Sequence, residues 1–164
     1  MNLLVRAGSA ADIRQATDLL NEIISIGGTT ARTEQTTAVD LGDWLTSDPE
    51  AAYWCVAEEE TGALLGFQWI GLHPDLPHKA CDISTFVKAG RAGLGVGSQL
   101  FEATKQAALD LGYDWINANI RADNEGGLIY YQSRGFRAYD RIENVTLADG
   151  SKVNKILKRY DLKD

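Results

Sequence analysis

Apolar positions recur along this chain at two spacings, and each change of spacing marks an element boundary. "LLVRAG" predicts a first strand. Ser9 then offers a helix cap, and Ile13, Ala16, Leu19, Leu20 and Ile23 fall on one helical face. "SIGGTTARTEQTT" is polar and glycine-bearing, which predicts a loop long enough to be functional, and "AVDLGDWLTS" predicts a short helix. "AAYWCVAEE" and "ALLGFQWIGLH" read as strands joined by a turn at Thr61-Gly62. After the loop "PDLPH", "ACDISTFV" reads as a central strand. Leu100, Ala103, Ala107 and Leu111 share the next helical face, which Gly112 terminates. "YDWINANI" alternates, with Ile116, Ala118 and Ile120 on one side and Trp115, Asn117 and Asn119 on the other. "ADNEGGLIYYQSRGF" predicts a helix capped by Asp123 or Asn124 and stopped by Gly135. Two further strands, "RAYDRIENVTL" and "SKVNKILKRYDL", meet at a turn over Asp149-Gly150. This order of elements predicts one α/β (α+β) domain over residues 1–164.

The net charge of −7 changes the picture in one respect. So acidic a chain is not expected to bind nucleic acid or an anionic membrane. Its N-terminus has no basic segment ahead of a signal-length apolar run, and no apolar stretch approaches bilayer length, so a cytoplasmic location is expected. Cys55 and Cys81 lie in apolar runs and read as small core residues, with one disulfide left open. No metal is expected, since neither paired-cysteine spacing nor HExxH is present. A homodimer is left open.

Gly93, Gly95 and Gly97 alternate where a helix should begin. Each glycine inside a helix costs about 1 kcal/mol against alanine. The compensation would be a backbone whose free N–H groups face an anion at the positive end of the helix dipole. A P-loop needs a lysine that this stretch lacks, and the GxGxxG frames end on Ser98 or Leu100. "GLGVGSQLF" instead resembles the pyrophosphate loop of the GNAT (Gcn5-related) N-acetyltransferases: Arg or Gln, two residues, Gly, one residue, Gly or Ala. Gly95 and Gly97 match. The basic position falls on Ala92, a departure, with Arg91 one residue earlier. "NEGGLIYYQSRGF" resembles the same family's late helix, with Asn124, Tyr131, Gly135 and Phe136 in register and Gly127 where alanine is usual. "NEIISIGGTTARTE" and "CDISTFVKAGRAGLGVG" look most like the phosphinothricin acetyltransferase type.

The resemblance implies a mixed, mostly antiparallel twisted sheet flanked by about four helices. It also implies transfer of an acetyl group from acetyl-CoA to an amine. The cofactor would meet Phe86 and Val87 on the central strand, then Arg91, Ala92, Gly93, Leu94, Gly95, Val96, Gly97 and Ser98 in the loop and helix start, and Asn124, Gly127 and Tyr131 on the late helix. The two glycines Gly126-Gly127 would let it pass closely over that helix. The chemistry needs a neutral amine, a polarised carbonyl and a proton for the leaving thiolate. Asp82, opening an apolar strand, is the candidate base; Tyr131, rather than Tyr130, is the candidate acid; backbone N–H groups near Phe86 and Val87 would polarise the thioester. Thr30, Arg32 and Trp69 are candidates for the acceptor side, Arg32 as a clamp on an acidic group. A peptide or protein amine, or acyl-CoA binding without catalysis, are the alternatives.

Overall fold

The computed structural model describes residues 3–91 and 94–163. Ala92 and Gly93, both expected to meet the cofactor, lie outside the described residues. The apolar runs pair into one seven-stranded sheet. In chain order its strands are β1 (Leu4–Ala7), β2 (Tyr53–Glu58), β3 (Leu64–Gly71), β4 (Ala80–Val87), β5 (Trp115–Arg121), β6 (Arg137–Thr146) and β7 (Lys152–Asp161). Their order across the sheet is β1-β2-β3-β4-β5-β7-β6. Every neighbouring pair is antiparallel except β4 and β5, which run parallel. The helices are α1 (Ile13–Ile26), α2 (Ala38–Thr46), α3 (Val96–Asp110) and α4 (Glu125–Ser133).

The helical spacings determine which face each helix covers. Ala16, Leu19, Leu20, Ile23 and Ile24 of α1 pack with Leu41 and Leu45 of α2 against Val56, Phe67 and Phe86 of the sheet. On the other face, Val96 and Leu100 of α3 meet Cys55, Ala57 and Leu65, and Phe101 and Ala108 join Ile116, Tyr131 and Phe136. Full burial of one such aliphatic side chain is worth roughly 1.5–3 kcal/mol. β3, beside the central β4, is buried along its whole length, while β6 at the edge is almost wholly exposed. Both thiols are free and buried.

Two details differ from the periodicity. Ser9 caps a short 3-10 turn, Ala10–Asp12, ahead of α1. There the buried Asp12 accepts two 2.8 Å hydrogen bonds from the Arg6 guanidinium, an interaction that spacing along the chain does not encode. And α4 begins at Glu125, because the Asn124 side chain accepts the Gly127 N–H at 3.0 Å while Asp123 is engaged by Arg121. Among the described residues no helix is long and apolar enough to cross a membrane.

Candidate active site

The parallel pairing of β4 with β5 lasts only from Ala80–Trp115 to Ile83–Ala118. β4 continues to Val87, so the two strands part and a gap opens beside Ser84 to Val87. A cavity of about 700 Å³ occupies that gap. On its far side β4 remains paired with β3, and Lys88 N–H donates to the Leu65 carbonyl at 2.8 Å. An antiparallel ladder alternates. The backbone groups of Phe86 and Ser84 therefore face β3, and those of Thr85 and Val87 face the gap. Phe86 and Val87 both line the cavity, but the Phe86 N–H is turned toward β3, which leaves Val87 as the backbone donor of the pair.

α3 opens onto one end of the cavity, where Gly97 and Ser98 line it. Gly95 is the N-cap of α3 with φ 80°, in the left-handed region that glycine adopts without strain. Gln99 N–H closes the first turn onto the Gly95 carbonyl at 3.1 Å, and the N–H groups of Val96, Gly97 and Ser98 precede that bond. Gly97 is required for a different reason. A Cβ there would lie 2.6 Å from the Tyr130 ring, whose hydroxyl donates to the Gly97 carbonyl at 2.7 Å. Close approach of α4 by itself excludes a side chain there. Val96 is buried, Leu94 is exposed, and Arg91, half-buried, is not among the lining residues. The cation at this end is Arg134, at the C-terminus of α4, one turn beyond Tyr130. It lines the cavity, and its buried Nε has no partner among the described residues.

Gly127 lines the cavity, and its lack of a side chain serves a second contact. A Cβ there would lie 2.4 Å from the Asn124 amide nitrogen, which donates to the Thr29 carbonyl at 3.0 Å. Asn124 is thus cap and anchor, and Gly127 makes room for it. Gly126 lines the cavity beside it, and a Cβ there would meet only Asn124 Oδ1, at 3.9 Å.

The two candidate catalytic side chains, Asp82 from β4 and Tyr131 from α4, both line this cavity. Tyr131 is buried, and its hydroxyl lies 2.7 Å from Thr85 Oγ1. Burial pushes its pKa far above the usual phenol range, so the hydroxyl keeps its proton. Tyr130, its neighbour, is occupied by Gly97 and by Gln68 Nε2 at 3.1 Å, and burial raises it to about 12. Asp82 accepts from Asn117 Nδ2 at 3.0 Å. Burial raises its carboxyl above the usual carboxylate range, against smaller opposing effects of Asn117, His73 and Lys155. Thr85 and Arg134 escaped the sequence reading. The alternation of β3 and β4 shows only that Gln68 and Trp69 face opposite sides.

On the acceptor side, the loop after α1 folds over the cavity. Arg121 donates to the Thr30 carbonyl at 3.1 Å, and Asn124 holds Thr29. Thr30 and Arg32 line the cavity, and the Arg32 guanidinium lies 4.7 Å over the Trp44 ring. Trp69 does not belong with them. It is buried beneath Trp44, with ring centres 4.7 Å apart, and is not among the lining residues. No cluster of metal ligands occurs among the described residues.

Comparison with known proteins shows relatives along almost the whole chain. YwnH of Bacillus subtilis, described provisionally as a phosphinothricin acetyltransferase, is 27% identical over 98% of this chain and 96% of its own length. The phosphinothricin acetyltransferase of Sinorhizobium meliloti, solved with acetyl-CoA, superposes with TM-score 0.88 at 18% identity, over 99% of this chain and 90% of that one. The ribosomal-protein-alanine N-acetyltransferase of Brucella melitensis superposes with TM-score 0.87 at 19% identity, over 96% and 99%. The same fold thus accompanies names that imply different acceptors. The acetyltransferase (GNAT) family model matches residues 17–136, most of the chain. This protein belongs to the acetyltransferase (GNAT) family and is an acyltransferase.

Proposed function

We propose that this enzyme transfers the acetyl group of acetyl-CoA to the primary amine of a small amino-acid-like acceptor, by direct attack within a ternary complex. One observation carries the reading: the open N-terminus of α3, the Tyr131 hydroxyl, the Asp82 carboxylate and the Arg32 guanidinium all border a single cavity of about 700 Å³. The residues fit the cosubstrate. The first N–H groups of α3 suit a pyrophosphate, and Arg134 supplies a cation beside them. The gap between β4 and β5 admits an extended amide chain, and the Val87 N–H faces the place where a thioester carbonyl would lie.

Asp82 takes the proton of the incoming ammonium. Its raised pKa brings a carboxylate closer to the amine it must deprotonate, which burial beside Ile83 and the strand core provides. Tyr131 donates a hydrogen bond to sulfur as negative charge develops there. Its own pKa lies above that of a thiol, so it assists departure chiefly as a donor and releases the proton late. Arg32, held against Trp44, offers a two-point contact to a carboxylate or phosphinate. The loop ties at Thr29 and Thr30 favour a closed acceptor site over an open peptide groove. The test is thiol release from acetyl-CoA over a panel of amino acids, acidic analogues, alkylamines and peptides. Turnover with an acidic amino-acid analogue is expected; turnover with peptides alone would replace this reading by the protein-amine one, and no turnover with any amine would leave a binding module.

A further inference from the structure

Asn117 and Tyr139 have no part in the chemistry above, yet they form an unbroken hydrogen-bonded chain ending on Asp82. The register of β4 with β5 sets Asp82 directly opposite Asn117. Asn117 is buried, and its Nδ2 donates to Asp82 Oδ1 at 3.0 Å. The other end of the same amide is occupied: the Tyr139 hydroxyl donates to Asn117 Oδ1. A primary amide bonded this way has one orientation. Flipping it would set its oxygen against the carboxylate, acceptor against acceptor, and lose the bond to Asp82.

Tyr139 reaches Asn117 from β6, across the intervening strand β7, and the backbone is built for that reach. In the β6–β7 ladder Ala138 pairs with Lys158 and Asp140 with Leu157, so Tyr139 is the extra residue of a bulge. Bulges re-aim side chains. Its ring meets Trp115 edge-on at 5.8 Å, and Arg159 covers Trp115 at 3.9 Å. Asp82, Asn117 and Tyr139 also line a second cavity, of about 290 Å³, which shares Asp82 with the first. The chain therefore approaches the carboxylate from the side opposite Tyr131.

We infer that Asn117 and Tyr139 are positioning residues, which hold the Asp82 carboxylate in the orientation that accepts the amine proton. The inference rests on Asp82 acting as the base. The other titratable groups around Asp82 are His73 from the β3–β4 loop, Lys155 from β7, Tyr131 from α4 and Cys81 beside it on β4. None of them fills the place of the Asn117 amide. Burial raises the carboxyl and the Asn117 donation lowers it, so loss of that donation raises it further.

The test is the pH dependence of kcat/KM under conditions where chemistry limits, for wild type, Asn117→Ala, Tyr139→Phe, the double variant and Asp82→Asn. Tyr139 is 40% exposed, so its Phe variant retains the fold. Expected for Asn117→Ala are a kcat about tenfold lower, an unchanged KM for acetyl-CoA, and an acid limb displaced to higher pH. Tyr139→Phe should displace the limb the same way by less, and should add nothing to Asn117→Ala, because it acts through the amide. If Asp82→Asn abolishes the acid limb while both single variants keep the wild-type limb, the positioning role is overturned and the base stands. An acid limb that survives Asp82→Asn removes the base itself, and the inference with it.

Discussion

The two ends of the cleft are built from different materials. The α3 end is built from backbone: the N–H groups of the first turn, a left-handed cap at Gly95, and Gly97, whose missing side chain lets the Tyr130 ring lie close. The Asp82 end is built from side chains drawn from β4, β5 and β6, each holding the next. A backbone site needs glycines at fixed spacing and so leaves a mark in sequence. A side-chain site needs only that distant strands register, and it leaves almost none. Substitutions at the first end should act on affinity and stability, and those at the second on turnover.

The largest effect that tests this division falls on Tyr131, whose hydroxyl lies between the two ends. Tyr131→Phe should lower kcat by roughly a hundredfold or more while acetyl-CoA binding persists. Equal losses of affinity and turnover would make the phenol a packing element. Next in size, Gly97→Val forces a branched side chain into the Tyr130 ring, a clash that costs about 1–3 kcal/mol. A lowered urea midpoint at unchanged m-value should report it. Arg134→Ala should weaken acetyl-CoA about tenfold, roughly 1.4 kcal/mol, with kcat little altered, and Arg134→Lys should recover part of the loss. Calorimetry reads both. The smallest effect is expected at Arg32. Arg32→Ala should raise the KM for an acidic acceptor severalfold and leave a plain alkylamine unchanged. If both acceptors suffer equally, the arginine serves the loop or the cosubstrate instead.

How far the sequence could be read follows the same line. Alternation in "YDWINANI" and helical spacing from Ile13 placed β5 and α1, because burial of one face is a local property of the chain. The glycines and the Asn124-to-Phe136 register marked α3 and α4. What spacing does not contain is register between strands. That β4 and β5 part after Ile83, and that Asn117 stands opposite Asp82, depend on pairing across thirty-five positions. Gly127 lines the cavity, and it also makes room for the Asn124 cap, a contact that only the folded turn reveals. Trp69 was grouped with Thr30 and Arg32, but it packs beneath Trp44, and its strand neighbour Gln68 is the one that turns toward the tyrosines.

The central claim is that the backbone at the start of α3 holds the pyrophosphate of acetyl-CoA. The most direct measurement compares calorimetric affinities for acetyl-CoA and for acetyl-pantetheine, which lacks that pyrophosphate, in wild type and in Gly95→Val. At φ 80° a β-branched residue cannot keep the cap conformation. Wild type should bind acetyl-CoA far more tightly than acetyl-pantetheine, and in Gly95→Val that preference should collapse while acetyl-pantetheine binds as before. A folded Gly95→Val protein that retains the full preference would contradict the account.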